Sequence, residues 1–166
     1  DRLEPAPGGA WAPSGEIRPN QLFAASLKHS PLDAETRRAV VNVCREHLLT
    51  PVGLRTLSPK DAGYRARFKG GMLERDAAYH NGTVWPWLLG PYSEAVLRAG
   101  SFSSEARAEA AGAFAGVLSH LAAGGCLGQI AEVYDGDAPR DQEGCPAQAW
   151  SVAEALRVTA LLLEGA

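Results

Sequence analysis

Three stretches gather the residue types that hold and cleave polar ligands. They are Arg18-Pro19-Asn20-Gln21, the run from Arg75 through Tyr79-His80-Asn81-Gly82-Thr83-Val84-Trp85-Pro86-Trp87, and Glu132-Val133-Tyr134-Asp135-Gly136-Asp137. Each joins planar amides, aromatic rings or carboxylates where a helix is expected to end. Such a mixture suits a sugar, whose hydroxyls need amide, guanidinium, imidazole and carboxylate partners while its apolar ring face stacks on Trp or Tyr. For Trp85 and Trp87, core packing is the competing reading. His80 is the histidine placed among such groups, whereas His29, His47 and His120 fall on helices or helix approaches.

Glycoside hydrolysis needs one acid to protonate the leaving oxygen and one carboxylate to activate water or attack the sugar. Glu132 and Asp76 are the loop carboxylates in suitable surroundings, and spacing does not choose between them. Asp135, Asp137 and Asp141 alternate like a calcium loop but lack the glycine and glutamate that an EF-hand needs, so turn capping is expected and no metal. No Ser or Cys stands in a nucleophile motif, and no Gly- and Lys-rich phosphate cradle occurs. No cofactor is expected.

The 166 residues fit one domain. A net charge of -3, from 16 Lys+Arg against 19 Asp+Glu, gives no electrostatic reason for a nucleic-acid or anionic-membrane partner. The three cysteines show neither disulfide-framework nor zinc spacing, which fits reduced thiols in a cytoplasm. No apolar run reaches the ~18–20 residues of a spanning helix. A start at Asp1 suggests a piece of a longer protein.

The elements that must position these residues read as helices separated by long Gly/Pro/Asp-rich loops, an all-α pattern with at most short strands near residues 129–134. Residues 1–17, rich in Pro and Gly, read as a linker or surface strap. Helices are expected over residues 19–27, from Ser30-Pro31 to Leu49, over 83–98 with a kink at Pro91, from a Ser104 cap to about Ala122, and from Pro146 onward. In the last, Trp150, Ala153, Leu156, Ala160 and Leu163 mark the expected buried face. Residues 53–75 should be irregular, and loops of that length are usually functional.

The segments AYHNGTVWPWLLGP, RPNQLFAASL, GLRTLSP and EVYDGDAPRDQEGCPAQAWSVAE together resemble the C-terminal part of prokaryotic glycogen-debranching enzymes, glycoside hydrolases of the amylo-α-1,6-glucosidase type. The resemblance runs from Arg18 to about Leu156. It implies about half of an α/α toroid, a six-hairpin barrel whose long inner-ring loops build a sugar pocket, with residues 18–166 as the C-terminal portion of the catalytic domain. The implied reaction is inverting hydrolysis of α-1,6-linked glucose at a glycogen branch point. Glu132 occupies the position of the general base, with its partner acid roughly 6.5–9.5 Å away. Asn20, Gln21, Arg55, Tyr79, His80, Trp85, Trp87 and Gln148 are the implied pocket residues. The family's acid lies in an upstream Arg-Asp-Thr motif that this chain lacks, and Asp76, followed by Ala77, does not inherit that role. The N-terminal half of the same domain and a glycogen or α-glucan branch point are the expected partners. A glucoamylase- or trehalase-like toroid and a non-catalytic carbohydrate-binding helical module are the alternatives.

Overall fold

A computed structural model describes residues 3–5 and 7–164. The first strands, β1 (Leu3–Pro5) and β2 (Trp11–Pro13), pair antiparallel, so a small hairpin stands where the Pro- and Gly-rich composition suggested only a strap. The helices follow as α1 (Gln21–Ser26), α2 (Ala34–His47), α3 (Met72–Tyr79), α4 (Leu89–Ala99), α5 (Ser104–Ala123) and α6 (Ala149–Leu163).

Local chemistry sets their ends. Ser30 does not open α2, because its hydroxyl donates to Ala24 O and accepts from Leu32 N, closing a turn. Asp33 caps the helix instead, accepting from Thr36 N at 2.7 Å. That bond holds its carboxyl below the ordinary range. The expected helix over 83–98 divides, with a strand at Val84 and Trp85, a 3-10 turn over Pro86–Leu88, and α4 only from Leu89. Pro91 therefore lies in the first turn, where its missing N–H breaks no helical bond and no kink is required. Ser103, not Ser104, caps α5 by accepting from Ala106 N.

Helix α4 is the centre of the core. It packs against α1, α2, α5 and α6 and buries Leu89, Tyr92, Val96 and Leu97 against residues such as Leu22, Cys44 and Phe114. Alongside lies a sheet, of which the all-α reading allowed only a short strand near residues 129–134. Its strands β3 (Leu49–Thr50), β4 (Gly53–Arg55), β5 (Val84–Trp85), β6 (Val133–Tyr134) and β7 (Gln142–Glu143) run antiparallel in that order. Leu54 pairs with Trp85, Val84 with Tyr134 and Val133 with Glu143, so three loops distant in sequence meet on one frame. The architecture is helical with a small sheet, and the described residues form no closed barrel.

The face assigned to the core in α6 is reversed. Ser151, Ala155 and Val158 are buried, whereas Trp150, Leu156 and Leu163 are 47%, 68% and 69% exposed. Ala153 and Ala160 are exposed with them. Helix α6 is apolar on two faces, and α4 and α5 cover one.

Two glycines of α5 make opposite predictions. A Cβ at Gly112 would meet nothing within 4 Å, so Gly112→Ala should raise stability by about 0.5–1 kcal/mol through helix propensity. A Cβ at Gly116 would stand 2.0 Å from Pro51 O, a backbone atom of the β3–β4 turn. Gly116→Ala should instead destabilise, because overpacking costs about 1–3 kcal/mol and exceeds the same propensity gain. Urea denaturation of the two variants checks both signs.

Candidate functional site

Helix α1 and the loop after α3 are brought together by one side chain. Arg18 donates to His80 O at 2.6 Å, to Thr56 O at 3.2 Å and to Asn81 Oδ1 at 2.9 Å, while Glu16 holds its Nε at 2.9 Å. The result is a cavity of about 220 Å³ lined by Asn20, Phe23, Thr56, His80, Trp85, Trp87 and Trp150, with Pro19 and Leu88. That volume is below the roughly 300–1,000 Å³ usual for ligand pockets. A larger hollow of about 540 Å³ beside α5, walled by Pro51, Gly112, Ala113 and Gly116, gathers none of these aromatic rings.

The wall is a continuous aromatic run. Phe23 lies 6.0 Å from Trp87 between ring centroids, Trp87 5.6 Å from Trp150, and Trp150 5.8 Å from Trp85. His80 stacks on Trp85 at 5.3 Å with only 13° between planes. Burial, with the charge of Arg18 beside it, lowers the His80 pKa, which keeps its ring neutral near pH 7. A neutral imidazole both donates and accepts, as paired sugar hydroxyls require. Asn20 makes no capping bond although it begins α1, and its side chain borders the cavity.

Joined to this wall through Tyr79 is Glu132, partly buried and just before β6. One carboxylate oxygen accepts from the Tyr79 hydroxyl, and the other accepts from Cys145 N at 2.8 Å. Its own N–H donates to Cys145 O at 2.8 Å. The Tyr79 ring packs on Phe68, His80 and Trp85 at 5.2, 4.7 and 4.8 Å, so it joins the carboxylate to the aromatic wall.

The remaining residues of interest brace the loops. Arg55 donates to Gly136 O at 3.0 Å and to the Tyr64 hydroxyl at 3.2 Å, and Tyr64 donates to Asp137 at 3.0 Å. Asp135 is fully buried and accepts from Phe68 N and Arg67, both at 2.9 Å. Ligand atoms of Asp135, Asp141 and Glu143 lie within 4.8 Å of one another, as a metal site would have them. Lys69 Nζ already serves that charge, 2.6 Å from Asp141, 3.6 Å from Asp135 and 3.8 Å from Glu143. The hydrogen bond to Asp141 raises the lysine pKa and lowers that of the aspartate.

Of the residues singled out from sequence, the cavity thus gathers Asn20, His80, Trp85 and Trp87, and Tyr79 links it to Glu132. Arg55 is committed to the 136–137 loop. Gln21 donates to Arg18 O at 2.9 Å. Gln148 sits at the start of α6, where its N–H donates to Ile130 O. Neither lines the cavity, nor does Asp76, which is exposed on α3. Phe23, Thr56 and Trp150 were missed. Phe23 and Trp150 recur at helical spacing, and periodicity does not separate an aromatic ring in the core from one facing a cleft.

Comparison with known proteins gives the family. The profile of the amylo-alpha-1,6-glucosidase family matches residues 10–157. A glycogen debranching enzyme of Saccharomyces cerevisiae (strain ATCC 204508 / S288c) is 33% identical over 86 residues, covering 48% of this chain and 6% of that protein. The chain therefore spans a small part of that relative's length.

Proposed function

The chain belongs to the amylo-α-1,6-glucosidase family, and from that membership we propose that it forms the C-terminal portion of a catalytic domain removing α-1,6-linked glucose from trimmed branches of glycogen or a related cytoplasmic α-glucan. The observation that carries this reading is Glu132, held on both oxygens by Tyr79 and the Cys145 N–H and joined through the Tyr79 ring to His80 and Trp85 of the cavity wall.

In this reading Glu132 is the general base of an inverting reaction. It takes a proton from a water whose oxygen attacks the anomeric carbon. The bond from that carbon to the branch oxygen breaks, and the departing oxygen takes a proton from a general acid. No carboxylate lines the cavity among the described residues. The acid and the missing walls are then contributed by the N-terminal half of the domain, which completes an α/α toroid and covers the apolar face of α6. Trp87 and Trp150 stack on the glucose, the buried Trp85 backs them from the core, and His80 and Asn20 bind its hydroxyls.

Glucose release from a phosphorylase-limit dextrin, measured for this chain, for the N-terminal half and for their mixture, tests the proposal. Activity is expected only in the mixture. Release by this chain alone would place the acid within it and end the two-half account. The acid-free cavity wall favours one second reading, a glucan-binding module without catalysis, and binding with no hydrolysis in the mixture would decide for it.

Trp150→Ala separates binding from stability. Because the side chain is half exposed, the unfolding midpoint should barely move, while loss of an aromatic stacking surface should weaken glucan binding by about tenfold. Affinity electrophoresis in glycogen-containing gels reads the binding.

A further inference from the structure

Tyr79 appears among the implied sugar contacts, but its single hydrogen-bond donor is already committed. A phenol carries one proton, and that proton is donated to Glu132. The ring is clamped between Phe68, His80 and Trp85. The main chain is fixed as well, since Tyr79 O accepts from Thr83 Oγ1 at 2.7 Å and from Trp85 Nε1 at 3.0 Å. Helix α3 itself is exposed along most of its length, with Leu73 80% exposed, and its last turn is anchored by the buried Ala78 and by Tyr79.

We propose that Tyr79 is a positioning residue that acts through Glu132: its hydroxyl and the Cys145 N–H each hold one carboxylate oxygen and aim the group at the attacking water. This rests on the reading of Glu132 as the general base. A carboxylate offers about four acceptor directions, two on each oxygen. The two donors take one on each, which fixes the plane of the group and leaves one direction on each oxygen open to water. Burial and the bond to Glu132 push the Tyr79 phenol up to about 12, so the donor keeps its proton across the range in which such a base would work.

The test uses Tyr79→Phe, Glu132→Gln and the double variant in the mixture of this chain with the N-terminal half. Tyr79→Phe should lower kcat by ten- to a hundredfold and leave KM and glucan binding within twofold, because only the aim of the base is lost. On the Glu132→Gln background it should change nothing further. A rise in KM at constant kcat would make Tyr79 a sugar contact and overturn the proposal. A wild-type mixture without activity would instead remove the base reading beneath it. Independently, in this chain by itself, the Tyr79 hydroxyl should give an exchange-protected proton resonance that Tyr79→Phe removes and Glu132→Gln shifts upfield. Its absence from the wild type would overturn the pairing whatever the activity.

Discussion

Glu132→Gln is expected to lower glucose release by the completed domain by about 10²–10⁴-fold, the usual contribution of a general base, while leaving glucan affinity and the unfolding midpoint unchanged. The substitution is nearly isosteric. The amide oxygen can still accept from Cys145 N, and the Tyr79 hydroxyl can turn to accept from the new amide NH2 with its own proton directed away, so the fixed backbone donor keeps its partner. What disappears is the capacity to take up a proton. Steady-state kinetics on limit dextrin, read beside glycogen-gel electrophoresis, distinguishes the outcomes. A parallel loss of binding would make Glu132 a sugar contact, and a rate within tenfold of wild type would transfer the base role to another carboxylate.

Trp85→Ala is expected to destabilise the chain by about 3–5 kcal/mol, the range for emptying a buried Trp site. The side chain is 3% exposed, packs on Tyr79, His80 and Trp150, and belongs to the main core cluster. Its ring cannot be replaced by a local collapse, because the backbone of β5 is pinned to Leu54 on one side and Tyr134 on the other. Trp85→Phe should lose less, since a ring remains and Tyr79 O keeps the Thr83 hydroxyl as donor. Guanidinium denaturation followed by circular dichroism gives both values. A Trp85→Ala midpoint equal to wild type would mean that this tryptophan is a wall of the cavity and not part of the core.

These two positions also show what could be read from sequence. The helices were legible because α2, α4 and α5 carry apolar residues at helical spacing and because Ser30-Pro31 and Ser104 mark their starts to within a few residues of the true caps, Asp33 and Ser103. Strands of two residues leave no such trace. Val84 and Trp85 read as the start of a helix since Pro86 suits a first turn equally well. The face of α6 was inverted because residue type reports what prefers burial, not what covers it: Trp85 and Trp87 cover only part of Trp150, and Leu156 and Leu163 stay mostly exposed. In the site, the Tyr-His-Asn and Trp-Pro-Trp residues were conspicuous by type. The Tyr79 to Glu132 bond was not, because no local pattern links side chains 53 positions apart.

That separation bears on the order in which the molecule assembles. Helices α4 and α5 are consecutive, so their packing closes a short loop, whereas seating Glu132 needs β5 to find β6 and the Cys145 backbone to close behind it. Closing a long loop costs more entropy and comes later than local pairing. A chain emerging from the ribosome has every partner for the α4–α5 contact well before Cys145 has been synthesised. Its carboxylate is the part it can arm last.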